Sequence, residues 1–85
     1  MNTRQRNLSA QAFGVTLKAA RLERGLSQED LAERADFDRT YPSLLEHGRR
    51  SPTFFMILQL AGALRMEPVV LFAEAVSVWR RVGRS

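Results

Sequence analysis

Residues 27–48 decide the fold, and they read SQEDLAERADFDRTYPSLLEHG. Ser27 is a good helix N-cap, and Asp30 follows it three residues later, close to a capping box. Leu31 and Ala35 lie four residues apart, which is the spacing of one helix face. The first part of this stretch therefore predicts a short helix that begins just after Ser27.

The second part of the stretch predicts another helix. Residues 36–38, Asp-Phe-Asp, interrupt the apolar spacing, and Asp38 is a second N-cap candidate. Leu44 and Leu45 supply an apolar face, and Gly48 stands where a helix end favours a residue with positive φ. Two helices of about eight to ten residues with a short connection match the helix-turn-helix plan.

Several features of this stretch fall in one register: Ser27-Gln28, Leu31-Ala32, Arg39-Thr40-Tyr41, and Leu45-Glu46 with Gly48. Together they resemble the helix-turn-helix of the phage repressor and Cro type, also called the xenobiotic-response-element family of bacterial regulators. The likeness extends from about Phe13 to Phe72, most of the chain. It implies an all-α fold, a five-helix repressor-like DNA-binding domain.

Length and composition exclude several kinds of chemistry. The chain has 85 residues, which predicts one domain, and no cysteine, which excludes disulfides and thiolate sites. The single histidine, His47, cannot build a metal site unaided. There is no Gly-rich phosphate loop and no paired-histidine motif. We therefore expect no enzymatic activity, no metal and no cofactor.

The charge favours an anionic partner. The net charge is +4, and twelve of the thirteen basic residues are arginine. Arginine forks onto phosphates and guanine edges better than lysine does, although a genomic preference for arginine codons explains the bias equally well. Nucleic acid is the first candidate partner.

The chain divides into a basic tail at 1–8, one domain at 9–82 and a short tail at 83–85. The first tail is either flexible and solvated or a basic arm that touches the DNA backbone. Residues 1–7 lack the apolar stretch of a signal peptide, and the apolar run 54–64 is too short to span a bilayer. We therefore expect a cytoplasmic location.

Three further helices complete the predicted domain. Helix 1 runs from about Ser9 to Arg24 and buries one apolar face. Helix 4 runs from about Pro52 to Arg65, with Ser51 as N-cap. The predicted buried residues are Phe13, Leu17 and Ala20 on helix 1, Leu26 before helix 2, and Phe54, Ile57, Leu58, Ala61 and Leu64 on helix 4.

The fifth helix, predicted over about 68–82, carries a long apolar stripe. Phe72, Val76, Trp79 and Val82 lie on it, so the helix is either one more core element or a dimer seam. We favour the seam from Val76 onward. Phe55 and Met56 fall off the apolar stripe of helix 4 and are either scattered surface residues or a contact for a partner protein.

Two residues depart from the family pattern. Asp36 stands where glycine is common, and aspartate tolerates the left-handed conformation better than most residues. If Asp38 caps helix 3, Pro42 is the fourth helical residue, and its ring and missing amide should loosen the first turn or tighten it to 3₁₀.

The resemblance implies that helix 3, residues 38–48, lies in the major groove of DNA. It also implies an ion pair between Arg21 and Glu46. The residues expected to face bases are Arg39, Thr40, Ser43 and Leu44. Those expected at the DNA backbone are Ser27, Gln28, Tyr41, His47, Arg49 and Arg50. For Tyr41, packing against helix 2 is an equal alternative.

The function that we predict is a sequence-specific regulator of transcription that binds double-stranded DNA as a homodimer. The expected dimer interface is Val76, Trp79 and Val82. The small size resembles Cro-like repressors and restriction-modification controller proteins. The alternative is an antitoxin or another protein-interaction module of the same fold, which would bind its partner through Phe55, Met56 and the last helix.

Overall fold

The computed structural model describes residues 3–83, which fold into five helices and contain no strand. The predicted all-α, five-helix fold class is confirmed. Within 3–83 no single helix is long and apolar enough to cross a membrane, and only the pair Phe54–Leu64 and Pro68–Val82, bent by 110°, reaches that length and composition. The helices are α1 (Thr3–Glu23), α2 (Gln28–Ala35), α3 (Tyr41–Glu46), α4 (Phe54–Leu64) and α5 (Pro68–Val82).

Side chains from all five helices form one buried apolar core. α1 packs mainly against α5 and α3, while α2 packs against α3 and α4. Every helix places at least one fully buried leucine in this core, and burial of each such side chain contributes about 1.5–3 kcal/mol. These leucines are Leu17, Leu31, Leu45, Leu60, Leu64 and Leu71. The predicted burial of Phe13, Leu17, Ala20 and Leu26 is confirmed.

The predicted flexible tail over residues 1–8 is wrong from Thr3 onward, because α1 begins there. Residues 1–2 and 84–85 lie outside the described residues. Ser9, the predicted N-cap, is inside the helix, and its hydroxyl donates to the carbonyl of Arg6 at 2.8 Å. Nothing in the first turns breaks a helix, and a serine inside a helix often bonds back in this way.

The capping box of α2 forms as predicted. The Ser27 hydroxyl accepts from the Asp30 amide at 2.9 Å, and the Asp30 carboxylate accepts from the Ser27 amide at 2.9 Å. Hydrogen bonds from the backbone amide and the side chain of Ser27 to the carboxylate lower the pKa of Asp30. At the other end of α2, Asp36 has φ 59° and ψ 45°. Asp36 therefore adopts the left-handed conformation that the turn needs without a glycine.

The N-terminus and buried face of α4 differ from the prediction. Thr53, not Ser51, is the N-cap, and the helix begins two residues later than expected. Phe54 is 77% exposed and Leu58 is 39% exposed. α4 instead buries Leu60 and Ala63 together with the predicted Ala61 and Leu64, and Gln59 beside them donates to the carbonyl of Ala35 at 3.2 Å. The helix is apolar nearly all round, so apolar spacing alone does not locate its buried face.

α1 and α3 approach each other at Gly14. A Cβ added there would clash with the carbonyl oxygen of Leu45 and would lie 2.7 Å from that of Glu46. Backbone atoms cannot move away as a flexible side chain can. Glycine is therefore required at this crossing, and it allows the end of α3 to lie directly against α1.

A buried ion pair joins the same two helices. Arg21 Nε lies 2.6 Å from Glu46 Oε2, and Arg21 Nη2 lies 2.9 Å from Glu46 Oε1, so the contact is bidentate, as the resemblance implies. Arg21 Nη1 also donates to the carbonyl of Leu26 at 2.8 Å, and Gln28 Nε2 donates to Glu46 Oε1 at 3.0 Å. The hydrogen bond to Glu46 raises the pKa of Arg21. This network connects α1, α2 and α3.

Gly14→Ala should lower the free energy of unfolding by about 1–3 kcal/mol, because the added methyl overpacks the helix crossing. Gly62→Ala is the matched control, since Gly62 is exposed on α4 with nothing within 4 Å of the new Cβ. It should raise stability by about 0.5–1 kcal/mol through helix propensity. Urea unfolding of both variants measures the difference. Equal changes in the free energy of unfolding would contradict the close approach of α1 and α3 at Gly14.

Arg21→Ala or Glu46→Ala should each destabilise the protein by about 3–5 kcal/mol, because each leaves the other charge buried and unpaired. The double variant should lose much less than the sum. The control is the pair Arg39 and Glu29, whose exposed side chains lie 3.1 Å apart and whose removal should cost about 0–1 kcal/mol. A double-mutant cycle by urea unfolding gives the coupling energy, and a value near zero for Arg21 and Glu46 would refute their coupling.

Candidate nucleic-acid interface

The helix predicted to read DNA is shorter than expected. α3 spans Tyr41–Glu46, so the prediction of a helix from Asp38 is wrong. The Asp38 carboxylate accepts from the amide and the hydroxyl of Thr40, at 2.9 and 2.7 Å, and these bonds lower its pKa. The Tyr41 amide donates to the Asp38 carbonyl at 3.0 Å. Asp38 thus forms a turn before α3 instead of capping it.

The late start of α3 explains how Pro42 is tolerated. Pro42 is the second residue of the helix, not the fourth, and its ring is fully buried. At this position the missing amide would have had no acceptor within the helix. The proline therefore does not distort the first turn of α3, and Arg39 and Thr40 lie in the preceding turn.

The four predicted base-facing residues lie together. Arg39 and Thr40 are exposed, whereas Ser43 and Leu44 are half-buried. A surface depression of about 400 Å³ contains all four, together with two residues from the first turn of α2. We call this depression the recognition surface, and its lining residues are Gln28, Glu29, Arg39, Thr40, Ser43 and Leu44.

The residues predicted to contact the DNA backbone are distributed around this surface. Gln28 is half-buried, and its amide donates to Glu46, while Ser27 is engaged in the capping box. His47 ends α3, and its Nδ1 lies 2.8 Å from the carbonyl oxygen of Ser43. Arg49 and Arg50 follow in an exposed loop. Gly48, between them and α3, has the predicted positive φ of 70°.

Tyr41 packs within the fold. Its ring meets that of Phe37 edge to face, with 5.5 Å between the ring centroids, and its hydroxyl lies 3.6 Å from the sulfur of Met56. Packing was one of the two roles predicted for Tyr41. The structure shows that Tyr41 packs, but against Phe37 and Met56 and not against α2. The side chain is half-buried, and its contact with the DNA backbone stays a prediction.

The contact with Tyr41 also changes the interpretation of Met56. Its side chain is half-buried, and its sulfur accepts from the Thr53 amide at 3.4 Å. Phe55, by contrast, is 66% exposed. Of the two residues predicted to contact a partner protein, Met56 therefore packs within the fold and Phe55 remains exposed.

One contact on the recognition surface was missed from the sequence. Arg39 Nη2 lies 3.1 Å from Glu29 Oε1, and both side chains are largely exposed. The two residues are ten positions apart and belong to different elements. Helical spacing reveals pairs three or four residues apart on one helix, so it carried no signal for this contact.

The C-terminal helix has the predicted bounds, Pro68–Val82, but buries a different face. Leu71 and Ala75 are buried, while Phe72 is 57% exposed and Trp79 is 45% exposed. An open groove of about 410 Å³ runs between α1, α5 and the segment around the start of α4. We call it the apolar groove, and its lining residues are Ser9, Ala10, Phe13, Ser51, Pro52, Ile57, Phe72, Ala75, Val76 and Trp79. Val82 is half-buried beyond its end.

Comparison with known proteins agrees with this geometry. A family model described as a helix-turn-helix domain matches residues 12–75. An uncharacterised HTH-type transcriptional regulator of Sinorhizobium fredii, y4dJ, is 41% identical over 58 residues, 68% of this chain and 75% of that protein. The control protein C.MunI of a Mycoplasma species is 36% identical over 63 residues, 73% of this chain and 85% of that one.

Solved structures give the same result. The restriction-modification controller protein C.AhdI from Aeromonas hydrophila superposes with a TM-score of 0.71 at 43% identity, covering 74% of this chain and 96% of that chain. The matched region contains α2, the turn and α3, with the recognition surface that they form. The chain therefore belongs to the helix-turn-helix family of DNA-binding transcriptional regulators, which are not enzymes.

Proposed function

We propose that this protein regulates transcription in the cytoplasm by binding two DNA half-sites as a homodimer, with α3 in the major groove. The observation that carries the proposal is the recognition surface, which gathers Arg39, Thr40, Ser43 and Leu44 beside the N-terminus of α2. The names of the relatives support it, since they describe a transcriptional regulator, a control protein and a restriction-modification controller. Selection of bound sites from random duplexes tests it directly.

Each side chain of the recognition surface has a chemical role in this proposal. Arg39 donates to O6 and N7 of a guanine, a pairing that distinguishes guanine from the other bases. The Thr40 hydroxyl, which donates its proton to Asp38, accepts from a donor on a base edge, and Ser43 offers its hydroxyl to a base edge or a phosphate. Leu44 makes apolar contacts only, and a thymine methyl is the group in the major groove that suits it.

Backbone contacts hold the recognition surface in place from two sides. The first amides of α2, near Ser27 and Gln28, point toward a phosphate that would lie at the helix N-terminus. Arg49 and Arg50, with His47 before them, bind the phosphates on the other side. These contacts position the protein without reading sequence, so they set affinity for all duplexes alike.

The apolar groove is the proposed dimer seam. Phe72, Val76 and Trp79 line it from α5, and exposed aromatic side chains of this size gain most when a partner covers them. A two-fold interface uses the same patch on both chains, so one chain's Trp79 meets the groove of its mate. Val82 continues the seam. This geometry should place the two copies of α3 about 34 Å apart, one turn of DNA.

Arg39→Ala should weaken binding to the selected site by about 1–3 kcal/mol and relax the choice of one base pair, because a guanine loses its bidentate donor. Arg49→Ala should weaken binding to selected and random duplexes alike. It should also lower by about one the slope of log binding constant against log salt concentration. Titrations of both variants at several salt concentrations separate the two roles. If both variants lose affinity for selected and random DNA in equal measure, the role assignment fails.

Trp79→Ala should convert the dimer into a folded monomer with weaker DNA binding, because large buried aromatics carry about 2 kcal/mol or more of interface energy. Leu22→Ala is the control, since Leu22 is 57% exposed on α1 and does not line the groove. Sedimentation at tens of micromolar measures the oligomeric state. A monomeric unaltered protein would defeat the dimer, and a Trp79→Ala dimer would move the seam elsewhere.

A further inference from the structure

Glu29 occupies an unexpected position on the recognition surface. It is the one acidic residue among those lining the surface, and its carboxylate lies 3.1 Å from the guanidinium of Arg39. DNA carries a negative charge at every phosphate, so a carboxylate here opposes binding. An exposed ion pair contributes little to the stability of the fold. The helix macrodipole favours an acid in the first turn of α2, but this effect does not require the contact with Arg39.

The neighbouring acids accept hydrogen bonds that hold a helix end and a turn, and Glu29 does not. Asp30 accepts from the Ser27 amide in the capping box, and Asp38 accepts from Thr40 in the turn before α3. Among residues 3–83 the Glu29 side chain hydrogen-bonds only to Arg39, and the two side chains are 71% and 78% exposed, respectively. The ion pair therefore acts on the recognition surface, where it restrains Arg39, the side chain proposed to read a guanine.

The geometry leaves Arg39 able to bind Glu29 and a guanine together. A guanidinium carries five N–H donors in a planar fork. The bond to Glu29 comes from Nη2, so donors on the rest of the fork remain free for the two acceptors of guanine. With one side of the fork held, the side chain has fewer orientations to lose when it meets a base edge.

We propose that Glu29 is a positioning residue that determines specificity. This inference rests on the proposed function. The carboxylate of Glu29 holds Arg39 directed at the major-groove edge of a guanine and opposes complexes that lack that guanine. When Arg39 turns to a phosphate instead, Glu29 is left unpaired beside the polyanion. Specificity is a difference of affinities, and such a repulsive element lowers affinity for the wrong sequences more than for the right one.

The test uses Glu29→Gln in the full-length protein, which keeps the size of the side chain and removes its charge. Binding is measured to a duplex selected from random DNA and to a random duplex of equal length, at several salt concentrations. We expect affinity for the random duplex to rise about three- to fivefold, as removal of one opposing charge should produce. Affinity for the selected duplex should change less than about twofold, so the ratio of the two affinities falls.

Two controls isolate the contact with Arg39. Glu33→Gln removes the same charge one turn further along α2, where the side chain is exposed and does not line the recognition surface. It should leave the ratio of affinities unchanged. In an Arg39→Ala background, Glu29→Gln should also leave the ratio unchanged, because no guanidinium remains to be positioned. Helix content by circular dichroism verifies that each variant is folded.

The outcomes separate this inference from the proposed function. If the unaltered protein prefers its selected duplex and Glu29→Gln keeps the same ratio, Glu29 has no role in specificity and the inference fails alone. The same conclusion follows if Glu33→Gln lowers the ratio equally, since long-range charge then explains the effect. If the unaltered protein shows no preference for any duplex, the proposed function fails and the inference fails with it.

Discussion

The carboxylate of Glu46 is the contact on which the arrangement of the helices depends. It lies at the end of α3 and accepts two hydrogen bonds from Arg21 on α1 and one from Gln28 on α2. A buried charge is tolerated only when it is paired and hydrogen-bonded. No buried side-chain nitrogen or oxygen lacks a partner in residues 3–83. Because one group receives donors from two helices, α3 has little freedom to shift relative to α2.

That restraint matters because the proposed base readers do not lie on one helix. Arg39 and Thr40 belong to the turn before α3, whereas Ser43 and Leu44 lie within it. The turn is held by Asp38, which bonds Thr40, and by Asp36, whose left-handed backbone ends α2. The recognition surface is therefore a joint property of two helix ends and their connection. Its shape requires the distance between α2 and α3 to be fixed, which the network around Glu46 provides.

Features that depend on residues close together in the sequence, such as the starts of helices, could be predicted from the sequence. Ser27 and Asp30 specify the start of α2 within four residues, and Pro68 specifies the start of α5, so both were located correctly. The sequence did not locate the buried face of α4, because that helix is apolar nearly all round and its packing against the other helices decides which side chains are buried. Nor did it reveal the pairing of Arg39 with Glu29, since contacts between elements depend on the packing that brings them together.

The net charge of the chain and the carboxylate of Glu29 act over different distances. The net charge of +4 draws the chain toward any polyanion, and the exposed arginines contribute to that attraction whatever the base sequence. Glu29 acts locally, because its carboxylate is partnered only while Arg39 stays within hydrogen-bond reach. A surface built only of cations would gain affinity for every duplex equally. If Arg39 reads a guanine as proposed, the acid beside it lets the general attraction remain while this one contact sets the preference between sequences.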